Sequence, residues 1–206
     1  MLVSVIDLRI NNLTSVINSF SKKLLPSDDI SVFDPNSIIL PDLLILPGLG
    51  NFEAGMHSLN KNRLDFKIKE LAMSGTKIVG ICLGMQLLAD KSAESPDIQG
   101  LGLIPGHCEK LPSNVGVPVP HMSWNEVSSS NSGIFHSLIS RRDFYFTHSY
   151  HLLPKNSLSI LGYTKFGSIN FVSAIKQSNI LGFQFHPEKS GVVGLALISE
   201  ILRWAR

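Results

Sequence analysis

The sequence is poor in cysteine and in charge, and it has no long apolar run. Cys82 and Cys108 are the only cysteines among 206 residues. Two thiols cannot build a disulfide framework, and they fit a reducing compartment. Charged residues make up 17% of the chain and leave a net charge of +2. That balance is too even, and the basic residues too scattered, for a nucleic-acid surface. No window approaches the roughly 18 uncharged apolar residues of a membrane span. The opening run, Met1 to Ile10, carries Asp7 and Arg9, which suits a first strand and not a signal peptide. Hydrophobic residues at 44% argue against disorder. The expectation is a cytoplasmic protein folded as one domain over residues 1–206, with no membrane or nucleic-acid partner.

What is present is an alternation of short apolar runs and helical patterns. Residues 2–6, 30–33, 43–46 and 77–81 read as strands of a parallel sheet covered on both faces. Residues 12–23 have helical spacing at Leu13, Val16, Ile17 and Phe20, with Asn11 or Asn12 as a cap. Further helices are expected at about 63–74, from Leu83 to Ala89, and from Gly194 to Trp204. Residues 101–127 are rich in Gly and Pro. Runs at 144–147, 158–163, 172–175 and 180–185 look like strands with little helix between them. The predicted fold is α/β, a doubly wound, mostly parallel sheet with an antiparallel extension. The polar stretch 128–132 reads as a loop.

Chemistry enters at residues 77–88, KIVGICLGMQLL. A strand runs into Gly80-Ile81-Cys82-Leu83-Gly84 and straight on into a helix. A nucleophile elbow needs this layout, because glycines two residues either side admit a tight turn and close backbone approach. The helix start aims N–H groups at the thiol, favouring thiolate, and offers the N–H of Leu83 to an oxyanion. A lone Cys ending a core strand is more often packing. The flanking glycines make the two readings even.

Residues 180–190, ILGFQFHPEKS, shift the balance. His186 follows a strand end, Pro187 stops further pairing, and Glu188 is close enough to orient the imidazole. The bland alternative is a surface His beside a solvated Glu. A metal pair lacks its third and fourth ligands, so no metal or cofactor is expected. In an open α/β sheet both Cys82 and His186 can end neighbouring strands at the carboxyl edge. Residues 46–52, LPGLGNF, follow a buried strand and can present backbone N–H groups to an oxyanion, although alone they read as a plain turn.

In this order, PGLGNF, GICLGMQLL and GFQFHPEKS resemble the class I (triad) glutamine amidotransferases. The segments LGLIPG, VPHMSWN and YFTHSY make the chain look like the branch serving as glutaminase subunits of imidazole glycerol phosphate synthases. The resemblance covers nearly the whole chain. It implies a flavodoxin-like fold in which Cys82 is the nucleophile, His186 the acid and base, and Glu188 the orienting carboxylate. Gly48 and Leu49 would supply or gate one oxyanion donor, and Leu83 the other. Gln86, His148, Ser149 and Tyr150 match glutamine-pocket positions. Asn12, Met122, Trp124, Tyr145 and Lys189 match positions facing a synthase/cyclase partner, a heterodimer that receives ammonia through a tunnel.

Two places depart from that branch. It usually reads Asp-Tyr-Gly-x-Gly-Asn-Leu where this chain has Asp7-Leu8-Arg9-Ile10-Asn11-Asn12-Leu13. It has Gly where this chain has Ser123. Three alternatives therefore stay open: a paralogous ammonia supplier for amidino-sugar formation, a free-standing γ-glutamyl hydrolase, and a non-enzymatic scaffold. Cys108, with no helix start or base nearby, reads as structural. His121 reads equally as structural or as facing an ammonia exit.

Overall fold

The structure is a computed structural model that describes residues 1–9, 13–114, 116–129, 134 and 143–206. Its first half is β1 (Leu2–Val5), α1 (Leu13–Ser21), β2 (Asp29–Val32), β3 (Leu43–Gly48), α2 (Phe52–Lys61), α3 (Leu64–Met73), β4 (Lys77–Cys82) and α4 (Leu83–Leu87). There follow β5 (Ala89–Ser92), β6 (Ser95–Gln99), β7 (Ile104–Lys110), β8 (His121–Glu126), β9 (Ser128–Ser129), β10 (Asp143–His148) and β11 (Tyr150–Pro154). The chain closes with β12 (Ile160–Phe166), β13 (Ile169–Gln177), β14 (Ile180–Phe183) and α5 (Gly191–Ala205).

The main sheet has the order β2-β1-β3-β4-β14-β13-β12-β9. Its first five strands are parallel, in the flavodoxin order, and the last three are antiparallel. This is the expected fold class. Alternating side chains divide the core into two faces. Leu43, Ile45, Val79 and Ile81 pack with Val16 and Phe20 of α1 and Leu197, Ile198 and Ile201 of α5. Leu44, Leu46 and Ile78 pack with Phe52, Met56, Leu64 and Ile68 of α2 and α3. Every residue of β3 is buried, as a strand covered on both faces must be.

Four details differ from expectation. Helix α2 was hidden by the glycines around it, yet Asn51 caps it by accepting from the Ala54 N–H at 2.8 Å. Phe52, Met56 and Leu59 then supply an apolar stripe. Helix α4 ends at Leu87 instead of Ala89, because the chain turns into β5, which starts a second sheet, β11-β7-β5-β6. The expected strand at 144–147 is β10, which pairs with β8 in a separate ribbon and not with the main sheet. Ser128 and Ser129, expected in a loop, bridge to Tyr163 and Gly162. The proposed caps Asn11 and Asn12 lie outside the described residues.

Candidate active site

Strand β4 delivers Cys82 to the carboxyl edge of the sheet, directly opposite Gly48 of β3. Cys82 has φ 53° and ψ −111°, a left-handed conformation that a residue with a Cβ adopts only under constraint. The two flanking glycines supply that constraint. A Cβ on Gly84 would fall 1.7 Å from the Leu46 carbonyl oxygen, and one on Gly80 would fall 2.8 Å from the Gly84 oxygen. Only glycine lets α4 sit this close to β3 and β4. The turn therefore lifts the Cys82 sulfur out of the sheet at the start of α4, whose first N–H groups have no intrahelical acceptor.

Strand β14 runs parallel beside β4 and brings His186 to the same edge. The His186 N–H donates to the Tyr145 carbonyl at 2.9 Å. Ser190 then ties the turn down: its hydroxyl donates to the His186 carbonyl at 2.6 Å and accepts from the Tyr145 N–H at 3.1 Å. Pro187 opens a short 3-10 turn that swings Glu188 back under the ring. His186 Nδ1 meets Glu188 Oε1 at 2.7 Å, with both side chains almost fully buried. A carboxylate can only accept, so Nδ1 donates and Nε2 is left to act. Burial opposes the imidazolium. The Cys82 sulfur and then the Glu188 carboxylate outweigh that cost and raise His186 above its ordinary value. A proton leaving the thiol thus has a prepared acceptor.

In front of the sulfur lies a cavity of about 230 Å3, lined by Leu49, Gly50, Cys82, Leu83, Gln86, Glu94, Pro120, Thr147, His148, Ser149 and Tyr150. All four residues expected in a glutamine pocket are in that lining. Gly48 is instead behind it, in a small void shared with His186 and Glu188. The sulfur donates to the Thr147 carbonyl at 3.7 Å. Gln86 Nε2 donates to the Tyr150 carbonyl at 2.8 Å and to Gln184 Oε1 at 3.1 Å. Gln184 Nε2 in turn donates to Cys82 Sγ at 3.8 Å.

Sequence reasoning missed Gln184 and Glu94. Gln184 is two residues before His186 and fully buried among Phe183 and Phe185. A polar residue inside an apolar run was the available signal. Glu94 joins the site only through β5, part of the unforeseen second sheet, and its Oε2 accepts from the Phe52 N–H at 2.8 Å. It is the one carboxylate that lines the cavity among the described residues.

The family model described as "Glutamine amidotransferase class-I" matches residues 5–199. The chain belongs to this family. The amidotransferase is 37% identical over 207 residues to "Imidazole glycerol phosphate synthase subunit HisH" of Moorella thermoacetica, covering 98% of this chain and 96% of that one. It is 40% identical to the subunit of the same name from Methanopyrus kandleri, covering 100% of this chain and 99% of that one. Among solved structures it is similar to "Structure of PurLQS from Thermotoga maritima", with TM-score 0.73, 18% identity, and coverage of 100% and 99%. That last likeness speaks for the fold.

The positions expected to face a partner gather on one side of this amidotransferase. Met122 and Trp124 are 62% and 52% exposed on β8. Trp124 meets the Tyr145 ring edge-on at 5.9 Å, and Lys189 Nζ stands 5.8 Å from the centre of that ring. Asn12 lies outside the described residues. Where the glutaminase branch usually has glycine after the first strand, Arg9 holds φ 57°. Arg9 takes this left-handed conformation with its N–H donating to Asp7 Oδ1 at 2.7 Å. Cys108 is fully buried, donates to the Gln86 carbonyl at 3.8 Å, and has its thiol pushed far up by burial. No helix among the described residues is long and apolar enough to cross a membrane.

Proposed function

We propose that the chain is the glutaminase subunit of an imidazole glycerol phosphate synthase, releasing ammonia from glutamine for a synthase/cyclase partner in histidine biosynthesis. The observation that carries the chemistry is the Cys82 sulfur in the lining of a cavity beside the buried His186–Glu188 pair. The names of the relatives favour the histidine branch over the amidino-sugar alternative.

The geometry supports this sequence of events. The Cys82 thiol passes its proton to His186 Nε2, and the thiolate attacks the side-chain carbonyl of glutamine. The Leu83 N–H at the start of α4, with a second donor from the Gly48-Leu49 turn, holds the tetrahedral oxyanion. The imidazolium protonates the departing ammonia, leaving a thioester on Cys82. Neutral His186 then takes a proton from water, whose oxygen attacks the thioester and frees glutamate. Glu188 keeps Nε2 directed at the reacting atoms throughout.

The reading assigns Glu94 to the α-ammonium of glutamine, because a carboxylate is the chemistry an ammonium selects. Glu94→Gln should raise the KM for glutamine by roughly 10- to 100-fold, the range of a lost charge-assisted hydrogen bond, with kcat within a few-fold. Steady-state kinetics with and without the change decides it. An unchanged KM would remove Glu94 from substrate recognition.

The exposed Met122–Trp124 stripe, with Tyr145 and Lys189, is assigned to docking of the partner. Aromatic residues near the centre of an interface dominate affinity. Trp124→Ala should weaken complex formation by about 30-fold, with excess partner restoring activity. The function itself is tested by measuring glutamate release with and without the co-expressed partner. Stimulation by the partner, together with glutamine-dependent product synthesis, supports the proposal. Full turnover of γ-glutamyl peptides by the isolated chain would point to a free-standing hydrolase instead.

A further inference from the structure

Two buried histidines, His148 in the pocket lining and His121 behind it, have hydrogen bonds with only one consistent direction. His148 Nδ1 is 2.8 Å from the Tyr150 carbonyl oxygen, which can only accept, so Nδ1 carries a proton. His148 Nε2 is 3.0 Å from His121 Nδ1. His121 Nε2 is 2.9 Å from the Asn125 amide nitrogen. Burial drives both imidazoles toward the neutral form, lowering His148 to about 3 and His121 to about 4. A neutral His148 protonated on Nδ1 has a lone pair on Nε2, so His121 Nδ1 must donate to it. His121 Nε2 then holds a lone pair, and Asn125 must donate. The same Asn125 nitrogen lies 3.4 Å from the Lys165 carbonyl, which again requires a donor. Both ends of the ladder demand one polarity, Asn125 to His121 to His148 to Tyr150.

The surroundings leave the rings no freedom to turn. His121 and His148 are directly opposed in the β8–β10 register. His121 stacks on Phe146 at 4.7 Å and meets Phe166 at 4.4 Å and Phe171 at 5.5 Å. The inner end of the ladder is the Tyr150 carbonyl, which also receives Gln86 Nε2. The outer end, Asn125, lines a second cavity of about 470 Å3 together with Met122, Ser123 and Lys165. That cavity opens beside the exposed Met122–Trp124 stripe. Pro120 lines both cavities.

We infer that Asn125, His121 and His148 are positioning residues, a fixed-polarity hydrogen-bond ladder that holds the Ser149-Tyr150 wall of the substrate pocket from the far end of β8. A contact that shifts Asn125 alters the wall where glutamine is bound. None of the three is assigned a step in the chemistry. The role of the wall rests on the glutaminase reading, whereas the polarity of the ladder does not.

The polarity is read by nitrogen-15 NMR of histidine-labelled wild-type protein at neutral pH, with no substrate added. Both His121 and His148 should be neutral and protonated on Nδ1. A proton on Nε2, a tautomer mixture or a charged ring at either residue overturns the inference. The coupling is read with His121→Phe, which keeps an aromatic ring in the Phe cluster and removes the nitrogens. His148 should keep its Nδ1 proton on the Tyr150 carbonyl while its Nε2 nitrogen, stripped of the donor from His121, shifts its nitrogen-15 resonance, and the KM for glutamine should rise about tenfold while kcat holds within a few-fold. Asn125→Ala should move KM in the same direction by less. If His121 were there for packing, phenylalanine would leave KM and the His148 signal unchanged, and that result sinks the inference. Failure of wild-type enzyme with its partner to hydrolyse glutamine would instead defeat the glutaminase reading, with the NMR result still deciding the ladder.

Discussion

Cys82→Ala should abolish glutamate release from glutamine while ammonia-driven synthesis by the partner continues. The loss should reach on the order of 10^4-fold or more, as for the nucleophile of other triads, since the remaining groups act as a unit with it. Everything at the site converges on this sulfur. The elbow strains its backbone to φ 53°. His186 is raised by its presence, and Gln184 donates to it. Removing Sγ leaves a folded pocket, because the side chain is small and Gly80 and Gly84 still fix the turn. The binding of glutamine should therefore persist, measurable by calorimetry, and the ammonia-dependent rate of the complex should stay near that of wild type. That pair of results separates a lost nucleophile from a lost fold. Glutamine-dependent activity in the variant would show that the nucleophile lies elsewhere.

The elbow was legible because its signals are local. A buried strand, glycines at two residues either side, and an immediate helix start fit within twelve residues. His186-Pro187-Glu188 was legible for the same reason, and the parallel pairing of β4 with β14 closes the long separation in sequence. Gln184 stood out only as a polar residue in an apolar run, and its role was hidden because its partners lie far along the chain, 98 residues to Gln86 and 102 to Cys82. Glu94 was illegible because it depends on strands that have no apolar alternation to announce them. Strand β6, SPDIQ, buries none of its side chains fully, and β5 buries only its two ends. Such strands are held by their neighbours and not by their own pattern. The ladder through His121 could not be read from VPHMSWN, since its polarity is set by a carbonyl on a different strand.

Gly84→Ala should be the most damaging substitution to stability near the site. Adding one methyl group usually stabilises a helix, by about 1 kcal/mol relative to glycine. Here the added Cβ would lie 1.7 Å from the carbonyl oxygen of Leu46. No rotamer relieves that contact, because both atoms are fixed to backbone. Either α4 moves off β3 or β3 shifts in the sheet, and β3 is packed on both faces while every residue of α4 is buried. Overpacking of this kind costs about 1–3 kcal/mol or more, enough to outweigh the helix preference. Denaturant unfolding should show a lower midpoint with an unchanged slope. The effect on chemistry follows the same path. Leu46 is followed at once by Pro47, Gly48 and Leu49, so the strand displaced by alanine carries the turn proposed to hold the oxyanion. Any Gly84→Ala protein that still folds should lose kcat more than glutamine affinity. A variant with wild-type stability and kcat would show that the close approach of α4 to β3 is not what shapes the elbow.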